Sequence, residues 1–196
     1  MLKLRLGSAI FLGVTSLLFE VTWAQTIVAP LAKSPPPIAA EKNPGGDIPD
    51  NQAFVEYRSP LGFSIKVPEG WARREQPNDV SFRDKYNHLQ VEVSAQPSAP
   101  TIASIKANQL SALQKLPKAI RIASVKQLEL PAGAVVVANY GANSDANAVT
   151  NKAIRLESAS YYFWKAGKLA TLTLSAPAGA DNVDQWQLIS KSFAWR

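Results

Sequence analysis

The single histidine, His88, is the first residue to consider for chemistry in this chain of 196 residues. Asp84 precedes it by four positions. A zinc or manganese site usually has several nitrogen and oxygen ligands, so His88 and Asp84 alone are weak evidence for a metal site. The sequence also has no His-x-x-x-His pair, no glycine-rich phosphate loop and no nucleophile elbow. We therefore expect His88 to be a structural or exposed residue at a strand end, and we expect no enzymatic activity, metal or cofactor.

Cysteine is absent from the sequence. This excludes thiol catalysis, iron–sulfur clusters and cysteine-rich zinc sites. It also excludes attachment to a membrane through a lipidated cysteine. The fold must then be stabilised by its hydrophobic core, for which about 140 residues suffice.

Basic residues are the second group of candidates, because the formal net charge is +6. Arg73 and Arg74 directly follow Trp71, and guanidinium groups can pair bidentately with carboxylates of a partner. A second cluster follows a predicted helix and comprises Lys115, Lys118, Arg121 and Lys126. A positive field favours acidic protein surfaces, anionic lipid headgroups or nucleic acid. The alternative is a set of solvated surface charges without a partner.

The N-terminus has the pattern of a secretory signal peptide. Lys3 and Arg5 form a positive region, Leu6–Phe19 is mostly apolar, and Thr22-Trp23-Ala24 offers small residues for cleavage. The apolar run is shorter than the roughly 20 residues that a membrane span needs. We therefore predict a signal peptide over residues 1–24 and export to the periplasm or a thylakoid lumen, where nucleic acid is not an expected partner. An uncleaved anchoring helix is the alternative.

Residues 25–52 are rich in proline. Six prolines occur there: Pro30, Pro35, Pro36, Pro37, Pro44 and Pro49. Such composition favours extended chain over packed structure, so we predict a disordered linker over 25–52 and a domain over 53–196.

Strand patterns outnumber helical ones in residues 53–196. Alternating or apolar β-branched runs predict strands over 54–58, 63–67, 79–83, 88–95, 119–130, 134–140, 152–164 and 169–176. Two amphipathic patterns predict helices: one starts near Ser98 with Ile102, Ile105, Leu113 and Leu116 on one face, and one is capped by Asp181 with Val183, Trp186 and Ile189 on one face. Short turns between neighbouring strands favour antiparallel pairing. The sequence therefore predicts an α+β domain, an antiparallel sheet of about six strands with helices packed on its faces.

The order of several short motifs resembles the PsbP-like family. The motifs are Gly62-Phe63, Pro68-x-Gly70-Trp71, Tyr161-Tyr162-Phe163-Trp164, Gly167, Ser175-Ala176-Pro177, Trp186 and Ser192-Phe193. The resemblance implies an αβα sandwich. It also implies a lumenal or periplasmic accessory protein, in some members bound to photosystem II or helping its assembly.

Two functional hypotheses follow. The first is a non-enzymatic exported accessory protein, a monomer that binds a protein complex with an acidic surface and associates peripherally with a membrane. The second is a carrier or sensor domain of the cell envelope that holds a small ligand between helix and sheet. This second function needs a polar-lined cavity, which the apolar helix faces do not indicate.

Overall fold

A computed structural model describes residues 34–42 and 44–196, so the predicted signal peptide lies outside the described residues. The strands in this part of the chain are β1 (Phe54–Ser59), β2 (Phe63–Pro68), β3 (Ala72–Glu75), β4 (Asp79–Arg83), β5 (His88–Ala95), β6 (Arg121–Leu130), β7 (Gly133–Asn143), β8 (Arg155–Lys165), β9 (Lys168–Pro177) and β10 (Ala194–Trp195). The helices are α1 (Ile102–Ile105), α2 (Ser111–Gln114) and α3 (Val183–Ser192), and a π-helical turn, Lys106–Leu110, joins α1 to α2. We call residues 102–114 the first helical segment.

The strands form two antiparallel sheets. Seven strands pair in the order β3-β4-β5-β9-β8-β7-β6, and three pair in the order β1-β2-β10. Short turns make most of these pairs local; between β8 and β9, for example, Gly167 adopts a φ of 82°, which glycine tolerates without strain. The strands β3 and β6 are the two edges of the larger sheet.

The main core lies between the two sheets and α3. On β7, Val135 and Val137 belong to this core, because alternate residues of a strand face the same side. Phe193 lies at its centre, with its ring stacked 4.1 Å from that of Phe163 and 5.5 Å from that of Phe63. Phe193, which follows α3, therefore packs against the small sheet through Phe63 and against the large sheet through Phe163.

The opposite face of the seven-stranded sheet carries the first helical segment. Thr101 caps its start in a capping box: the Thr101 hydroxyl oxygen accepts from the Ser104 backbone N–H, and the Ser104 hydroxyl oxygen accepts from the Thr101 backbone N–H. Ile105 is buried as predicted, and Leu110, which we did not place on the buried face, is buried with it. Leu116 was predicted to be buried, but it is 43% exposed because the helix ends at Gln114.

The fold prediction is confirmed only in its coarser form. The domain is mostly antiparallel sheet with few helices, whereas we predicted about six strands in an αβα sandwich. The three-stranded sheet, and not only helices, packs against one face of the large sheet. The sequence pattern also missed β3, because its four residues are all exposed and show no apolar alternation.

The predicted linker differs from the structure over its described part. Ile48 is only 3% exposed, and its backbone N–H donates to the Asn182 side chain at 2.6 Å. Further along the domain, Asn143 accepts from the Ile38 N–H at 3.1 Å, and Ser34 accepts from the Ala119 N–H at 3.1 Å. Residues 34–42 and 44–52 therefore lie along the domain: amide side chains of the domain accept from backbone N–H groups of the segment, and the Ser34 hydroxyl of the segment accepts from a backbone N–H of the domain.

The helix α3 starts after Asn182, so Asp181 is not its N-cap. Ile189 is buried as predicted, Trp186 is half-buried, and Val183 is 62% exposed. The buried face instead includes Gln185 and Ser190. The predicted stripe was wrong at Val183, because the helix meets the sheet chiefly through its C-terminal half. No helix within residues 34–42 and 44–196 is long and apolar enough to cross a membrane.

Candidate functional site

A cleft of about 380 Å³ lies between α3 and the strands β6, β7 and β8. Cross-strand pairing places Lys126 beside Val137, and Val137 beside Tyr161. These three residues therefore face α3 from three neighbouring strands. The lining also includes Leu128, Leu130, Asn139, Glu157, Ala159, Asn182, Val183, Trp186, Gln187, Ser190 and Lys191. The cleft therefore borders the edge strand β6 on one side and α3 on the other.

Charged groups surround the apolar floor of this cleft. Lys126 and Lys191 are exposed, whereas Glu157 is half-buried. Burial raises the pKa of the Glu157 carboxyl, and a backbone hydrogen bond from Gly179 acts in the opposite direction. Burial likewise raises the pKa of Tyr161. The cleft can therefore bind an amphipathic group: the ammonium groups of Lys126 and Lys191 can contact an anionic part, and the apolar walls can contact an apolar part.

The strand β6 is a long, open edge. It has ten residues, and in the described part of the chain its backbone pairs only with β7. Leu128 and Leu130 are half-buried on the cleft side, and Ile122 and Val125 contact the cluster beneath the first helical segment. Unpaired N–H and C=O groups along such an edge can accept another strand. The edge β3 is different, because it has four exposed residues, three of them charged.

Arg73 and Arg74, which we named as candidates for binding a partner, lie on different faces of the large sheet. They are consecutive on β3, so their side chains point to opposite faces of the sheet. Arg73 lies over the Tyr57 ring at 5.6 Å, with its Nε 3.5 Å from Glu75. Tyr57 in turn donates a hydrogen bond to Glu75 at 2.9 Å. Arg73 is therefore held by local contacts, and the two arginines cannot clamp one carboxylate together.

The residues of the second predicted cluster lie on different elements. Lys115 caps the C-terminus of α2, and Lys118 makes a 2.9 Å ion pair with Asp145. Arg121 begins β6, and its charge together with burial lowers the pKa of Arg155. Lys126 lines the cleft. We define the β6 surface as the outer edge of β6 with Arg121 and Lys126.

The two predicted basic clusters are far apart. β3 and β6 are separated by six strand spacings, which is about 29 Å at the usual spacing of neighbouring strands. Arg73 and Arg74 therefore belong to a different surface from Arg121 and Lys126.

His88 begins β5, where it pairs with Arg83 on one side and Ser175 on the other. Burial, with the nearby Arg83 charge, lowers the pKa of His88 to about 4, so the ring is neutral near pH 7. The hydroxyl groups of Ser175 and Ser158 form a hydrogen bond, with 2.8 Å between their oxygens. Within the described residues no group of three or more His, Cys, Asp or Glu could hold a metal ion.

Sequence reasoning missed the cleft residue Glu157. A signal was present, because Glu157 is the only charged residue in the run from Leu156 to Trp164. Burying an unpaired carboxylate is costly, so a lone glutamate in such a strand indicates a place where the strand meets solvent or a cavity. Trp186 was assigned to the core, whereas it also lines the cleft.

Comparison with known proteins identifies the fold. No protein-family model matches the chain, and no curated protein matches its sequence. The solution structure of cyanobacterial PsbP from Synechocystis sp. PCC 6803 superposes with a TM-score of 0.58 at 16% identity, over 77% of this chain and 98% of that one. A Pseudomonas aeruginosa protein of unknown function gives 0.47 at 13% identity, over 71% and 94% of the two chains. The Saccharomyces cerevisiae Ran-binding protein Mog1p gives 0.48 at 11% identity, over 73% and 95%.

The likeness to cyanobacterial PsbP defines a PsbP-like fold for this chain. The resemblance predicted from the sequence motifs is confirmed at this level. An identity of 16% shows the fold alone, and the two weaker superpositions carry no argument.

Proposed function

We propose that this protein is a non-enzymatic accessory protein that binds another protein through the β6 surface. The observation that carries the proposal is the ten-residue edge strand β6, whose outer side has no backbone partner among residues 34–42 and 44–196. It carries Arg121 and Lys126 against one acidic residue, Glu129. Positive charge beside an open edge favours an acidic partner and speeds its association.

Export and location belong to the same proposal. The charged, apolar and small-residue pattern of residues 1–24 supports secretion to the periplasm or a thylakoid lumen. In a photosynthetic host we propose photosystem II or its assembly intermediates as the partner complex. The PsbP-like fold and the sequence motifs support this choice. The protein would then sit peripherally at the membrane as a monomer.

Site-specific photo-crosslinking in the native host tests partner binding. A photoreactive amino acid at Gln127, which is exposed on β6, should form a covalent product with a partner protein. The same amino acid at Glu92, exposed on β5, is the matched control and should not. Adding Arg121→Glu and Lys126→Glu should weaken the product without changing the melting curve, because exposed charges add less than about 1 kcal/mol to stability. Equal products from Gln127 and Glu92, or none from either, would contradict the proposal.

The second function that we predicted, a small-ligand carrier or sensor, gains support from the cleft of about 380 Å³. Its volume falls within the usual range of ligand pockets, and Glu157 supplies a half-buried polar group. Native mass spectrometry of protein purified from its host should then show a bound small molecule that Trp186→Ala releases. Mass spectra of the unliganded chain alone would count against this function.

A further inference from the structure

We infer that the partner contributes an extended segment that pairs with β6 as an eighth strand of the large sheet. This inference rests on the proposed function and specifies the chemistry of the partner. On the face of the segment that turns toward the cleft, the side chain opposite Lys126 is acidic and those beside Leu128 and Leu130 are apolar.

The backbone of β6 supplies the first part of the argument. In an antiparallel ladder, alternate residues of an edge strand point their N–H and C=O groups away from the sheet. Within the described residues, Arg121–Leu130 makes no backbone hydrogen bond beyond its ladder with β7. A long row of unpaired groups is a template for strand addition, in which main-chain bonds supply affinity.

The cleft supplies the second part. Lys126, Leu128 and Leu130 line it from β6, so alternate residues of an added strand would enter its mouth. Leu128 and Leu130 are half-buried, and a neighbouring apolar side chain would remove their remaining surface from water. Lys126 is exposed there, and an opposite charge directly across a strand pair is favourable. The cleft therefore adds selection of side chains to the pairing of backbones.

Charge argues against a second copy of this chain as the occupant. Self-pairing of β6 would bring together two edges that each carry Arg121 and Lys126 against Glu129. Lys191 lies on the far side of the cleft and increases the positive charge. Two edges that each carry net positive charge repel one another, whereas an acidic segment is complementary.

The test uses a capped eight-residue peptide as the probe, added to the isotope-labelled protein at low salt. Three successive alternate positions of the peptide are valine, valine and glutamate, to face Leu130, Leu128 and Lys126 in antiparallel pairing, and the other positions are threonine. Amides of alternate β6 residues should exchange at least tenfold more slowly with peptide, whereas those of β3 should not change. The same peptide with its alternate backbone nitrogens methylated should bind at least tenfold more weakly. Lys126→Glu should weaken binding about tenfold, and Lys85→Glu, in an exposed turn, is the matched control.

Three results would overturn the inference: unchanged exchange at β6, equal binding of the methylated peptide, or self-association of the protein through β6 in sedimentation. Crosslinking from Gln127 in the host distinguishes a failure of the strand-addition inference from a failure of the proposed function. If Gln127 crosslinks a partner while the peptide leaves β6 unprotected, the surface binds its partner through side chains and strand addition is wrong. If neither result appears, both the strand addition and the proposed function are wrong.

Discussion

Asn182→Ala should destabilise the protein although Asn182 lies outside the two sheets. Its side chain is 2% exposed and binds the segment that precedes β1. Its Oδ1 accepts from the Ile48 N–H at 2.6 Å, and its Nδ2 donates to the Gly46 carbonyl at 3.0 Å and to Asn87 at 3.3 Å. At the N-cap of α3 this side chain makes no capping hydrogen bond, so the substitution does not remove a cap.

The magnitude follows from these contacts. Alanine would leave the buried Ile48 N–H unsatisfied, which costs about 1–3 kcal/mol, and would remove a bond to Gly46 worth about 1 kcal/mol. We expect the free energy of unfolding to fall by about 2–4 kcal/mol. Ile48→Ala, which removes a buried side chain from the same contact, should cost about 2–4 kcal/mol by itself and less in the Asn182→Ala background.

Urea titration at neutral pH measures these changes. Asn139→Ala is the matched control, because Asn139 also lines the cleft but makes only an exposed bond to Ser124 at 2.9 Å. It should cost under about 1 kcal/mol. A loss below about 1 kcal/mol for Asn182→Ala, or full additivity with Ile48→Ala, would refute the packing of this segment on the domain.

Three further outcomes are expected. Trp186→Ala should cost about 1–3 kcal/mol in urea titration, less than for a fully buried tryptophan, because Trp186 is half-buried. The free energy of unfolding should fall by about 1–2 kcal/mol more in the wild type than in His88→Gln as pH falls from about 6.5 to 4. In this range His88 of the unfolded chain binds a proton, whereas His88 of the folded protein, with its lowered pKa, does not. Intact-mass measurement of the exported protein should show loss of residues 1–24; a mature chain that keeps Met1 would contradict this.

The local elements of the fold were predictable from sequence. The strand limits 79–83 and 88–95 match β4 and β5, because apolar and polar residues alternate there and one face is buried. The division into two sheets was not predictable, since alternation shows that a strand has a buried face and not which strand it pairs with. The pairing of β10 with β2 joins residues far apart in the chain, through Ala194 opposite Ser64.

The candidate site was predictable only in part. Arg121 and Lys126 were named from their charge, and the structure places both on the edge strand β6, whereas Lys115 ends α2. Sequence could not separate them from Arg73 and Arg74, because only the strand order puts β3 and β6 at opposite edges. The cleft also depends on how α3 lies across the sheet. The packing of residues 34–42 and 44–52 was missed because proline content reports backbone stiffness and not the side chains that receive the segment.

Hydrogen exchange on the complex isolated by crosslinking tests the central claim most directly, since it reports both edges of the large sheet at once. With a partner bound, the amides of Arg121–Leu130 should exchange more slowly than in the free protein. The amides of Ala72–Glu75, at the opposite edge, should exchange at their free rate. Slowed exchange at Ala72–Glu75 with no change at Arg121–Leu130 would contradict the account and would place the partner at the edge that carries Arg73 and Arg74.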